Sequence, residues 1–276
     1  RTPPFPQPAL TGKVEQRRLD VGGISRSFLV YVPQHLSDPV PVLLVLHGSA
    51  GSAERMRSAT AWAFEQLADR EGAVVVYPEG FEGHWNDCRK EGDFAAKRLG
   101  VDDVSFLRAV VARLSGDPAL GARQIAAEEV FAAGLSNGGH MALRLALEAP
   151  DLVAGVAAIA ASLADDSNSE CTPSGKAVPV LLLNGDADPI SPYEGGEIWS
   201  LGSFNRRGAV QSAVATAGYF SRLAGFVDPP FEHRYPDADP ADGTVASRSV
   251  WSEGDRAEVD LITIHGGGHT MPHPVK

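Results

Sequence analysis

Cysteine is scarce here: Cys88 and Cys171 are the only two, and they stand in no metal-binding spacing. A metal centre built on cysteine ligands is therefore excluded. The two thiols could pair across loops in an oxidising compartment or stand free, and their positions alone leave both open. Positive charge is also short, with 24 Lys and Arg against 35 Asp and Glu for a net charge of −11. With no basic stripe, nucleic acid and anionic membranes would be repelled rather than gathered. No uninterrupted apolar run reaches the roughly 20 residues that a spanning helix needs. Internal repeats and low-complexity tracts are missing too, so neither a solenoid nor a disordered chain is indicated.

The 276 residues suit one large domain or two small ones and can bury a substantial core. Residues 1–12 read as an extended lead-in, because Pro3, Pro4, Pro6 and Pro8 follow one another without apolar periodicity. Such a start is either what remains after a secretion signal is removed or a boundary chosen for expression. From residue 13 to 276 the pattern is that of a single domain in which strand and helix alternate. Strands are expected at Arg26 to Val32, Val40 to Leu46, Ala73 to Tyr77, Val130 to Gly134, Leu152 to Ala161, Val178 to Leu183 and Val259 to Ile264.

Helices are expected between these strands. One starts at the N-cap Ser52, with Met56, Ala59, Ala63 and Leu67 on a single face. A second is capped by Asp102 or Asp103, with Val104, Leu107, Val111 and Leu114 inward. Two more cover Asn137 to Leu147, beneath the sheet's edge loops, and Val214 to Leu223. Phe231 to Tyr235 and Val245 to Trp251 suit a hairpin-like excursion. The order implies an α/β fold, a mostly parallel sheet with helices on both faces.

Gly134-Leu135-Ser136-Asn137-Gly138 fits G-x-S-x-G between a strand and a helix, the setting in which this motif exposes a nucleophilic serine. A serine hydroxyl needs a base, and His269 in Gly266-Gly267-Gly268-His269-Thr270 follows the last strong strand. His47 and His265 sit at strand ends, where a polar filling role suffices, and His140 is expected to point away from the serine. His35, His84, His233 and His273 fall in expected loops. The orienting carboxylate should follow a buried strand, as Asp186 and Asp188 do, and Asp188 is preferred. The Asp-x-Asp spacing does not continue into a calcium-loop pattern. Ser136, Asp188, His269 is the α/β-hydrolase chain order. Backbone N–H groups of Ser49 (or Ala50) and Asn137 are the expected oxyanion donors. Acyl transfer of this kind requires no metal or organic cofactor.

Several stretches together resemble the polyhydroxybutyrate depolymerase-like and feruloyl-esterase-like branch of the α/β-hydrolases. They are Leu46-His47-Gly48, Trp85-Asn86-Asp87-Cys88-Arg89, Val101 to Val104, Gly134 to Gly138, Asp186 to Tyr193 with Gly195-Gly196, and Gly266 to Pro272. The resemblance implies a secreted or periplasmic carboxylic ester hydrolase, favours Asp188 as the residue before Pro189, and makes a Cys88–Cys171 bridge more attractive. It departs at Met271, where the family commonly has Trp, and at Asn184-Gly185, where it often has His-Gly. Both departures would sit near the substrate entrance, and Met271 and Trp85 are the candidate substrate-binding residues. Trp85 would stack on a phenolic or sugar ring or, alternatively, pack the long loop. Hydroxyalkanoate oligomers, feruloyl or acetyl esters of polysaccharide, and simple short esters are the implied substrates. A peptidase or acyltransferase on this fold, or a catalytically silent binding protein, are the competing readings.

Overall fold

The computed structural model describes residues 6–199 and 206–271. Residues 1–5 of the expected lead-in, Pro272 of the last motif and His273 lie outside that set. A ten-stranded sheet runs through the molecule. Its parallel centre is formed, in spatial order, by β4 (Val74–Pro78), β3 (Val40–Leu46), β5 (Ile125–Leu135), β6 (Gly155–Ile159), β7 (Val180–Gly185) and β12 (Val259–His265). Antiparallel strands complete both ends. β1 (Lys13–Val21) and β2 (Ile24–Val32) flank β4, while β11 (Val245–Trp251) and β10 (Phe231–Arg234) flank β12.

Continuous apolar runs become central strands because both of their faces are covered. On β3 and β4, Val42, Leu44, Leu46, Val74 and Val76 join one buried cluster. Their alternating neighbours Val45, Val75 and Tyr77 join another. The first cluster includes Phe106 of α4 (Asp103–Leu114), Met141 of α5 (Asn137–Glu148) and Phe220 of α6 (Ala213–Leu223). The second includes Met56 of α1 (Ala53–Ala59) and Ala68 of α2 (Ala63–Glu71). Helices thus cover both faces, as the alternation of elements predicts.

Register brings distant segments of chain to one edge of this sheet. Leu46 pairs with Gly134, so the loop after β3 leaves beside the loop after β5. Ile264 pairs with Gly185, so the segments carrying Asp188 and His269 also emerge together. Ligand sites of open α/β sheets form at these carboxyl ends.

Several local expectations change. The helix expected from Ser52 is two helices, α1 and α2, because Thr60 turns its hydroxyl back onto the carbonyls of Met56 and Arg57. Ala61 and Trp62 then take φ values of 50° and 55°, and the turn lets Arg57 meet the buried Glu65 at 2.7 Å. On α4 the N-cap is Asp102, and the fully buried stripe is Phe106, Leu107, Val110 and Leu114, with Val104 and Val111 only partly covered. Asp103 turns inward instead, paired at 2.7 Å with Arg26. Helix α5 packs against the central β3, β5 and β6 rather than under edge loops. Strand β1, the short helix α3 (Ala95–Arg98) and the hairpin of β8 (Gly196–Trp199) and β9 (Arg206–Val210) are additional elements whose sequences carry no clear apolar periodicity.

Cys88 and Cys171 are bonded, with Cα atoms 5.0 Å apart across 83 residues of sequence. The bridge is reinforced by Glu170 N–H on the Cys88 carbonyl at 2.8 Å. Closing so long a loop restricts the unfolded chain, and losing such a bond typically costs about 2–5 kcal/mol. Cys88→Ala with Cys171→Ala should therefore lower the thermal midpoint by roughly 5–15 °C, read by calorimetry against the oxidised parent.

Candidate active site

Ser136 stands between β5 and α5 with φ 55° and ψ −118°, a conformation that costs a non-glycine residue about 1–3 kcal/mol. Its neighbours force the turn. A Cβ on Gly134 would lie 2.1 Å from the carbonyl oxygen of Gly138, and one on Gly138 would lie 2.3 Å from that of Leu46. Only glycine at both positions lets α5 start this close to β3 and β5. The Ser136 N–H donates to the Ile159 carbonyl at 2.8 Å, anchoring the turn to β6. The serine lines a cavity of about 370 Å³ together with Ser49, His140, His269, Arg89 and Arg207. Leu135, Ile190 and Ile198 supply its apolar wall.

His269 reaches the cavity from the loop after β12, and its Nδ1 lies 2.7 Å from Asp188 Oδ2. The other carboxylate oxygen accepts from the N–H groups of Ile190 at 2.7 Å and Ser191 at 2.9 Å. Burial pushes the Asp188 carboxyl up, but the His269 bond and the two backbone bonds outweigh it and hold the group below its ordinary value. An ionised acceptor at Nδ1 makes that nitrogen the protonated one, leaving Nε2 with its lone pair. Asp186 goes elsewhere. It bonds His265 Nδ1 at 2.8 Å and the Gly266 N–H at 2.7 Å, latching the β12 end rather than reaching His269. His265 also bonds Ser247 at 2.9 Å, and buried His47 accepts from the Gly80 N–H at 2.9 Å.

For Trp85 the structure selects the packing alternative, and the expectations for Met271 and His140 change. Trp85 is completely buried and lines no part of the cavity. Its indole N–H donates to the His47 carbonyl at 2.9 Å, so it packs under the serine turn instead of offering a stacking face. Met271 is not among the cavity-lining residues either and packs against the cluster of Tyr31, Val45 and Tyr77. His140 does the opposite of what was expected. One helical turn beyond Ser136, it lines the cavity. Burial first, and Arg89 second, pull its pKa down to about 3, so it is neutral there.

A buried polar network that sequence reasoning did not resolve lies behind the serine. Asn137 accepts from the Trp85 N–H at 2.8 Å and donates to the Trp85 carbonyl at 3.0 Å and Asp87 Oδ2 at 2.7 Å. Asp87 is fully buried and takes both Nε and a terminal nitrogen of Arg89, at 3.0 Å and 2.5 Å. Burial opposes its charge, yet Arg89 holds its carboxyl well below the usual range. Asp87 and Arg89 belong to the Trp85–Arg89 motif, which was the available signal for them. Arg207 carried none, since its hairpin was not anticipated. Among the described residues no three His, Cys, Asp or Glu side chains gather as metal ligands, and no helix is long and apolar enough to cross a membrane.

A serine at a strand-to-helix turn, a histidine–carboxylate pair and a mostly parallel, doubly covered sheet define an α/β-hydrolase. Residues 26–237 match the model of the esterase PHB depolymerase family, and the chain belongs to that family of carboxylic ester hydrolases, as a serine esterase. It is 35% identical over 281 residues to NocK of Nocardia uniformis subsp. tsuyamanensis, which carries the name of an esterase. That match covers 98% of this chain and 78% of NocK. It is 28% identical over 158 residues to feruloyl esterase B of Piromyces equi, covering 56% of this chain and 27% of that protein. In fold it resembles the acetyl xylan esterase from Aspergillus awamori, with a TM-score of 0.64 at 16% identity, covering 94% of this chain and 96% of the other.

The depressed His140 pKa has a consequence for stability. Unfolding returns the imidazole to its ordinary value near 6.5, so between about pH 6.5 and 3 the unfolded chain binds the extra proton. Stability from this group is complete above that window and is lost on acidification, at up to about 1.4 kcal/mol per pH unit. Urea unfolding at pH 7, 6, 5 and 4 should show a falling midpoint, and His140→Asn should make the decline shallower.

Proposed function

We propose that the chain hydrolyses carboxylic esters by two-step acyl transfer, with Ser136 as nucleophile, His269 as base and Asp188 as its orienting acid. The observation that carries this reading is the 2.7 Å bond between His269 Nδ1 and Asp188, on a histidine that lines the same cavity as Ser136. Ser136 Oγ attacks the ester carbonyl while His269 Nε2 takes its proton. The resulting oxyanion is held by the backbone N–H groups of Ser49 and Asn137. Asn137 is the first residue of α5, whose N–H has no acceptor within the helix, and Ser49 belongs to the cavity wall. The imidazolium then protonates the leaving alcohol. Water, deprotonated by His269, releases the acid and restores the serine.

The cavity volume lies at the small end of the range typical of ligand sites, and its apolar wall suits a compact acyl chain. Short hydroxy-acid oligomers or acetyl-sized esters therefore fit this reading better than a rigid polymer surface. The names of the feruloyl and acetylxylan relatives keep aromatic and polysaccharide esters among the substrates to assay. The Cys88–Cys171 bond supports export to an oxidising compartment.

Ser136→Ala should reduce turnover of p-nitrophenyl esters by about 10⁴-fold or more and abolish labelling by a fluorophosphonate, with circular dichroism unchanged. Retained labelling would remove the serine from its assigned role. Asp188→Asn should lower kcat on the order of 10³- to 10⁴-fold by unsettling the His269 tautomer. Asp186→Asn should cost far less activity, because its partner His265 is outside the cavity. The reverse ranking would exchange the two acids.

A further inference from the structure

The cavity around Ser136 differs in charge from the molecule that contains it. The chain carries a net charge of −11, yet the described cavity-lining residues include Arg89 and Arg207 and no Asp or Glu. The two arginines are not equivalent. Arg89 is answered by Asp87 through two bonds, in a pair shielded from solvent. Arg207 bonds no carboxylate among the described residues, although the charge of Asp87, already bonded to Arg89, acts on it from a distance; its direct contacts are Ser49 Oγ at 2.6 Å and the face of Phe94 at 5.3 Å. Burial, with Arg89 nearby, lowers its pKa, although a guanidinium stays protonated at neutral pH. A half-buried cation with no anion bonded to it recovers only part of its desolvation cost. Its planar fork also keeps donors to spare after the single bond to Ser49.

Arg207 is held in place rather than left to fold away. It lies on β9, followed by Gly208, where an added Cβ would come within 2.2 Å of the Asn168 amide. The Asn168 amide donates to the Ala209 carbonyl at 3.0 Å and the Arg207 carbonyl at 3.4 Å. The Asn168 carbonyl in turn accepts from the Lys90 N–H at 2.7 Å, two residues from the disulfide-bonded Cys88. The guanidinium therefore projects from a hairpin that is cross-linked to the cavity's own wall.

We propose that Arg207 receives a free carboxylate carried by the substrate, so that this esterase prefers short esters bearing a carboxylate over their neutral counterparts. The inference rests on the Ser136 acyl-transfer reading and names the substrate class of that site. Such a carboxylate could sit on the acyl side, as in a monoester of a short dicarboxylic acid. It could equally sit on the alcohol side, as in the carboxylate-ended dimer of a hydroxy acid. Both offer the same planar anion to a guanidinium that can bind it in two-pronged fashion.

The test compares kcat and KM on two matched pairs. The first is mono-p-nitrophenyl glutarate against p-nitrophenyl pentanoate, and the second is 3-butanoyloxybutanoate against its methyl ester. The parent enzyme should favour the anionic member of at least one pair, and that pair identifies the side on which the carboxylate lies. In Arg207→Ala the anionic-to-neutral ratio of kcat/KM should fall on the order of 10- to 100-fold, chiefly through KM, as expected for loss of a charge-assisted bond. Arg207→Lys, which keeps the charge but not the fork, should restore part of the ratio. No anionic preference in either pair, or a ratio unchanged in Arg207→Ala while both esters slow together, would overturn the proposal and leave Arg207 as a support for Ser49. Fluorophosphonate labelling of Ser136 in the parent is run alongside. Labelling without anionic preference sinks this inference alone, whereas absence of both labelling and turnover sinks the esterase reading and this inference with it.

Discussion

The strained backbone at Ser136 is the constraint on which the rest of the site depends. A residue with a Cβ does not hold φ 55° and ψ −118° by its own preference, so the surroundings must over-determine it. They do so by exclusion and by bonding. Gly134 and Gly138 admit backbone where any side chain would collide, which lets the first turn of α5 close against β3 and β5. The bond from the Ser136 N–H to Ile159 then fixes the turn to the next strand. Dense packing of α5 against three central strands supplies the energy that offsets the strain.

Beneath this turn the first side chain of α5 is locked just as tightly. Asn137 spends its amide on both backbone groups of Trp85 and on Asp87, so the helix start and the Trp85–Arg89 segment move as one body. Asp87 tolerates complete burial because Arg89 and Asn137 surround it, a balance that fails if either partner is removed. Between Asp87 and Arg89 sits Cys88, whose bond to Cys171 carries the same rigidity outward to Asn168 and the β9 hairpin. Ser136, the cavity wall and the guanidinium of Arg207 are thus connected through one chain of buried contacts. That rigidity is what a site requires if charge is to be stabilised without reorganisation at the moment of reaction.

Much of this architecture was legible because periodicity and turn chemistry are local properties. Val40 to Leu46 reads as a buried strand since a continuous apolar run of that length needs cover on both faces, and it is a central strand. Val259 to Ile264, broken by Asp260 and Thr263, is also an interior strand, buried on alternate residues. That Ser136, Asp188 and His269 would come near one another was legible for a related reason, each following a buried strand in a sheet whose carboxyl ends converge. For Trp85 the sequence leaves stacking and packing both open, and for Met271 it suggests the entrance, because an aromatic or thioether side chain suits a cavity wall and a packed interior equally well. Their neighbours alone decide between the two. His140 stands one helical turn beyond Ser136, and i and i+4 share a helix face, so it lines the same cavity rather than pointing away.

The sequence by itself determined the central alternation of strands and helices, the glycines that permit the serine turn, and the short list of groups able to perform acyl transfer. These follow from residue type and spacing, which act over a few positions. Tertiary structure alone decided which acid meets which histidine, sending Asp188 to His269 and Asp186 to His265, two residues apart in sequence but on different errands. It also bonded Cys88 to Cys171 and set Arg207 beside Ser49, across 158 residues of chain. Pairings of this kind depend on strand register and on a hairpin's approach to another element's loop, and no local pattern encodes either.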